Sequence, residues 1–194
     1  MSGTRVASSE STGAFSPIHA LTYDARVKLI GLVGTPHVLF SATRAKALSK
    51  GLGDKLDALG ERLGDNICIM YLDAALPADK DTIVLALGAS FGIVGWLPFK
   101  KAGGTLVCWK EGSLPRHARL ADTKLRALVP DKTKSIGKLA IDGPQILACN
   151  DYAPQDKTRT WIDVPLAAGQ YNVGLAKPKR TELGTLAFVT LTPT

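Results

Sequence analysis

Apolar residues follow two different periods along this chain. Between residues 42 and 63, Leu48, Leu52, Leu56, Leu59 and Leu63 recur at spacings of three and four. That spacing puts them on one face and predicts helix. Gly51 and Gly53 interrupt the pattern, which predicts a break and two short helices. Ser41 or Thr43 is placed to cap the start and Gly64 to end the run.

Outside this stretch the apolar runs are shorter, partly β-branched, and separated by Gly, Pro and Asp. Strands are predicted at residues 27–33, 37–40, 67–72, 82–87, 91–97, 105–109, 136–141, 145–150, 161–164, 170–175 and 186–191. A further short helix is expected from Asp122 to Val129, ended by Pro130. Asp142-Gly143-Pro144 and Ala168-Gly169 have hairpin-turn chemistry. Strands joined by so few residues must pair antiparallel, because a parallel pair needs a long crossover. The expected fold class is α+β: a large antiparallel sheet or sandwich with a few short helices packed on one side. Residues 17–194 are read as one domain, and the small, polar residues 1–16 as a disordered tail.

The chain has 194 residues and is 45% hydrophobic and 21% charged, which suits a globular domain with its own core. Its three cysteines, Cys68, Cys108 and Cys149, lie in separate apolar runs. An odd, scattered set predicts buried free thiols rather than disulfides or a zinc site, and reduced thiols suit a cytoplasmic protein. No apolar run is long enough to cross a bilayer as a helix. No metal or cofactor motif is apparent, as neither a phosphate loop nor a dinucleotide fingerprint is present.

Charge is unevenly distributed. Residues 100–138 hold ten basic residues against three acids, a net +7 that equals the excess of the whole chain. The basic residues are Lys100, Lys101, Lys110, Arg116, Arg119, Lys124, Arg126, Lys132, Lys134 and Lys138. Such a stretch suits an acidic protein surface, a nucleic acid or a solvated face. Trp109 is its one aromatic, which is too few for a base-stacking platform and argues against nucleic acid as the partner. No amphipathic membrane helix is apparent either. The candidate binding face is Lys100, Lys101, Lys110, Arg116 and Arg119, with Trp109 or a loop side chain as anchor. Trp96, Trp109 and Trp161 also alternate with apolar residues, as core positions do.

One catalytic motif occurs: Gly88-Ala89-Ser90-Phe91-Gly92, the Gly-x-Ser-x-Gly pattern of a strand-to-helix nucleophile turn. Gly95 and Pro98 follow it and oppose the helix the motif requires. Its downstream partners would be Glu111 and His117. A glycine-rich turn between two strands is the better reading, and a serine hydrolase is kept as the alternative function beside a basic nucleic-acid binder. His19, His37 and His117 do not cluster in sequence, and His37, within an apolar strand, is expected to be a hydrogen-bonded structural residue.

The order of landmarks resembles the bacterial immunity protein 21 family, which is associated with polymorphic toxin systems. The likeness runs from about Gly34 to the end of the sequence. It comprises Gly34-Thr35-Pro36 before an apolar strand, Gly95-Trp96-Leu97-Pro98, the Gly103-Gly104 strand ending at Trp109, Gly143-Pro144 with two apolar residues, and Pro165, Gly169, Tyr171 and Val173. The resemblance implies an antitoxin that binds a cognate toxin, with no catalytic residue.

Overall fold

The computed structural model describes residues 28–30, 35–45, 52–71, 83–110, 122–149 and 161–194. The expected tail at residues 1–16 lies outside them. Their eleven strands are β1 (Lys28–Ile30), β2 (His37–Ser41), β3 (Ile67–Tyr71), β4 (Ile83–Leu87), β5 (Phe91–Pro98), β6 (Gly104–Lys110), β7 (Lys134–Ile141), β8 (Gln145–Ala148), β9 (Trp161–Val164), β10 (Gly169–Thr181) and β11 (Gly184–Pro193). The two α-helices are α1 (Leu52–Leu63) and α2 (Asp122–Leu128). A 3-10 turn, Ala42–Arg44, follows β2, and the Ser41 hydroxyl accepts from the Thr43 N–H, as the expected cap does.

Among the described residues every pairing is antiparallel and the strands form two sheets, but the turns at Gly143 and Gly169, expected to close hairpins, instead carry the chain from one sheet to the other. One has six strands in the order β1-β5-β6-β11-β10-β7, and the other has five in the order β3-β4-β2-β8-β9. Because side chains alternate across a strand, each sheet has an inner and an outer face. The inner faces meet in one core that includes Leu39, Leu85, Leu147 and Val164 from the five-stranded sheet. Val94, Leu106, Val173 and Val189 contribute from the six-stranded one. The edge strands β1 and β9 approach each other, as do β3 and β7, so the sandwich is drawn together along both sides.

The helices correct one expectation: they do not share a side. α1 buries Leu52, Leu56, Leu59 and Leu63 against Val38, Phe40, Val84 and Ile146 on the outer face of the five-stranded sheet. Each such leucine contributes about 1.5–3 kcal/mol relative to exposure. α2 lays Leu125 and Leu128 over Leu97, Val107, Trp109 and Phe188 on the opposite outer face. The layers therefore run α1, five-stranded sheet, six-stranded sheet, α2. Sequence periodicity identifies an apolar face but not which of two equivalent sheet faces will receive it. Of the two glycines expected to break the helical stretch, Gly53 lies inside α1, and Gly51 lies outside the described residues. At its end the expected stop is present: Gly64 has φ 51°, and its N–H bonds to the Gly60 carbonyl at 3.2 Å.

β10 departs most from expectation. It runs to Thr181, six residues past the predicted end at Leu175. Its last residues pair with β11 through a shift in register between Ala176 and Lys179, where Lys177 and Pro178 form a bulge. Proline is tolerated there because the bulge requires no ladder donor from it. Among the described residues, no helix is long and apolar enough to cross a membrane.

Candidate functional site

Strand geometry spreads the predicted basic face over two ends of the molecule. Lys100 and Lys101 are exposed in the β5–β6 connection, which is closed by the Phe99 N–H bonding to the Gly103 carbonyl at 3.1 Å. Lys110 ends β6 at the other end of the sheet. The six-residue rise between Gly104 and Lys110 separates the two places by roughly 20 Å. Arg116 and Arg119 lie outside the described residues, as do Glu111 and His117.

Trp109 corrects the anchor expectation. It is 1% exposed within the cluster under α2, and its indole N–H donates to the Leu183 carbonyl at 3.0 Å. It holds the β10–β11 turn onto the sheet and offers no surface to a partner. Trp96, 2% exposed, also lies in the core.

The Gly-x-Ser-x-Gly segment is one of the places where the chain crosses from one sheet to the other. β4 belongs to the five-stranded sheet and β5 to the six-stranded one. Gly88 packs so tightly on the turn after α1 that a Cβ there would collide with the Gly64 carbonyl oxygen, and its own N–H bonds to the Asn66 carbonyl at 2.9 Å. Gly92 falls where the β5–β6 register shifts. Strand, not helix, follows Ser90, and the Ser90 hydroxyl oxygen is closed to solvent. It sits beside the Asp65 carboxylate in a contact looser than a full hydrogen bond. That contact and the Lys110 ammonium, 3.5 Å from the carboxylate, hold Asp65 below its ordinary pKa. Packing thus accounts for Gly88, and the Ser90 hydroxyl is enclosed where the chain crosses between the sheets.

His37 is buried as expected, but without the expected hydrogen bond. It opens β2 opposite Leu87, on the same face as Leu39, and neither ring nitrogen has a hydrogen-bond partner among the described residues. Burial drives its pKa down to about 3, so the ring is neutral. Cys108 and Cys149 are free thiols in the core, and burial raises both pKa values, that of Cys149 to about 12. Cys68 is free and half-buried.

A polar cluster at the β7–β8 turn serves the fold. The Asp142 carboxylate accepts from the Ser41 hydroxyl at 2.7 Å, from Thr43 at 3.3 Å and from the Gln145 amide at 3.2 Å. Burial would raise this carboxyl, but those bonds outweigh it and hold the pKa low. Together they fasten the end of β2 to the turn, a link that the Ala42 N–H bond to the Pro144 carbonyl reinforces. Among the described residues, no group of three or more His, Cys, Asp and Glu side chains could hold a metal.

One basic cluster was not picked out in the sequence. Lys177, Lys179 and Arg180 lie exposed on the overhanging end of β10, next to the turn where Lys124 of α2 meets Glu182 at 3.6 Å. The signal was present as Lys177-Pro178-Lys179-Arg180, three cations in four residues, but it was lost in a remainder whose charges cancel overall.

A scan against protein-family models finds no match, and searches of the curated proteins and of the solved structures return no similar protein.

Proposed function

We propose that this chain is a bacterial immunity protein, a non-catalytic antitoxin that binds a cognate protein toxin and neutralises it by occlusion. One observation carries this reading beyond the landmark resemblance. The described lysines of the basic stretch, Lys100, Lys101, Lys110, Lys124, Lys132, Lys134 and Lys138, are all exposed on a sandwich whose apolar side chains fill its interior. An occluding inhibitor needs a rigid scaffold and a charged surface, because complementary charge raises the encounter rate and fixes the register of docking. An acidic toxin surface is the partner this charge fits.

The test is association with the cognate toxin at low salt, followed by surface plasmon resonance. Replacing Lys110, Arg116 and Arg119 by Glu is expected to slow association by about tenfold or more. Unchanged kinetics at low salt would overturn the reading of this stretch as the docking face. Failure of the wild-type chain to protect cells expressing the toxin would overturn the immunity function itself.

A further inference from the structure

We infer that the overhanging ribbon formed by residues 177–181 of β10 and the start of β11 docks an acidic polypeptide surface, and does so more strongly than the Lys100–Lys101 connection. This rests on the binding function proposed above and locates it differently from the basic stretch in sequence.

The geometry has three parts. First, β7 pairs with β10 only as far as Leu175 opposite Lys134, so residues 177–181 continue past their neighbour, with β11 on one side. Second, Lys177, Lys179 and Arg180 are exposed there, and none forms an ion pair with another described residue. Glu182 at the tip is already engaged by Lys124. Third, the ribbon is held firmly. Leu183 is buried under α2, its carbonyl accepts the Trp109 indole N–H, and the Thr181 hydroxyl accepts from the Leu183 N–H at 3.1 Å while donating to the Gly184 carbonyl at 2.8 Å. The cations therefore stand on a pre-organised support rather than a loose tip, which lowers the ordering cost of binding.

Lysine and proline on a free strand edge also discourage edge-to-edge pairing. Here Pro178, in the bulge and without an N–H, already interrupts the ladder. Strand addition is therefore disfavoured, and the three charges are left for contact through side chains. A polypeptide suits the ribbon better than a nucleic acid does. The segment from Lys177 to Thr185 contains no aromatic on which the bases of a single strand could stack.

The test measures fluorescence anisotropy of a labelled ten-residue glutamate peptide and a labelled single-stranded DNA of ten nucleotides with the full chain at low salt. Wild type is compared with Lys177→Glu/Lys179→Glu/Arg180→Glu and with Lys100→Glu/Lys101→Glu. Peptide binding is expected to weaken by about tenfold or more in the ribbon variant and by less than about twofold in the loop variant. Thermal melts establish that both are folded. Should the ribbon variant fail to fold, the three glutamine replacements take its place. Equal effects of the two variants, no peptide binding by wild type, or tighter ribbon-dependent binding of DNA would each overturn the inference. Toxin protection distinguishes the two proposals. A ribbon variant that still protects fully leaves the immunity function standing and removes the ribbon, whereas ribbon-dependent peptide binding by a chain that protects against no toxin does the reverse.

Discussion

His37 sets a pH limit on stability at the level of one residue. Its pKa is about 3 in the folded chain against 6.5 for an ordinary histidine, because burial disfavours the charged ring. The folded value lies below the unfolded one, so between these limits the unfolded chain binds more protons. Stability from this source is complete above pH 6.5 and is lost as pH falls toward 3, at up to about 1.4 kcal/mol per unit. Urea unfolding at pH 7, 6 and 5 is expected to show this slope in wild type and a shallower one in His37→Leu, which keeps an apolar side chain in the core. Equal slopes would exclude His37 as the source. The sequence placed this histidine in an apolar strand correctly. It could not supply the missing hydrogen bond, because the partners of a buried ring come from strands distant in sequence.

Among elements, the crossover from β4 to β5 is tightly constrained by packing. Gly88 leaves no room for a Cβ against the turn at Gly64. Gly88→Ala is therefore expected to destabilise the chain by at least about 1–3 kcal/mol, read as a lower urea midpoint at unchanged slope. Retained stability would mean that the crossover can move away from α1. Strand positions were largely legible in sequence because alternation and turn residues are local signals: β2, β5, β6 and β9 fall within a residue or so of their predicted ends. The end of β10 was not legible, since Lys177-Pro178-Lys179-Arg180 has the composition of a loop and is made a strand by pairing with β11. The same composition hid the cluster of exposed cations on the ribbon, and of the basic face that drew attention instead, the described residues Lys100, Lys101 and Lys110 are split between the two ends of β6. Trp109 was ambiguous for a related reason, as an aromatic in a basic segment reads equally as anchor or as core until the helix above it is placed.

Across the whole molecule, the chain changes sheets repeatedly. β1 joins the six-stranded sheet, β2 to β4 the other, β5 to β7 return, β8 and β9 leave again, and β10 and β11 return last. No continuous half of the sequence holds a complete sheet. The β10–β11 hairpin also lies inside its sheet, between β6 and β7, rather than at an edge. A chain ending after Val164 is thus expected to show no cooperative thermal transition by circular dichroism, because β6 and β7 would both lose a neighbour and Val173, Leu186, Phe188 and Val189 would leave their clusters. A cooperative melt in that truncated chain would contradict this dependence.

This placement has a further consequence during synthesis. Translation delivers strands in order, and β10 and β11 are the last of the described strands to leave the ribosome. Until they do, β6 and β7 each present an open edge that the finished protein covers. β6 is buried along almost its whole length and is the more hazardous of the two, whereas β7 carries exposed Lys134 and Lys138, the kind of charge that keeps a waiting strand from pairing wrongly. The nascent chain is therefore most exposed to misassembly through β6, in the interval before the closing hairpin arrives.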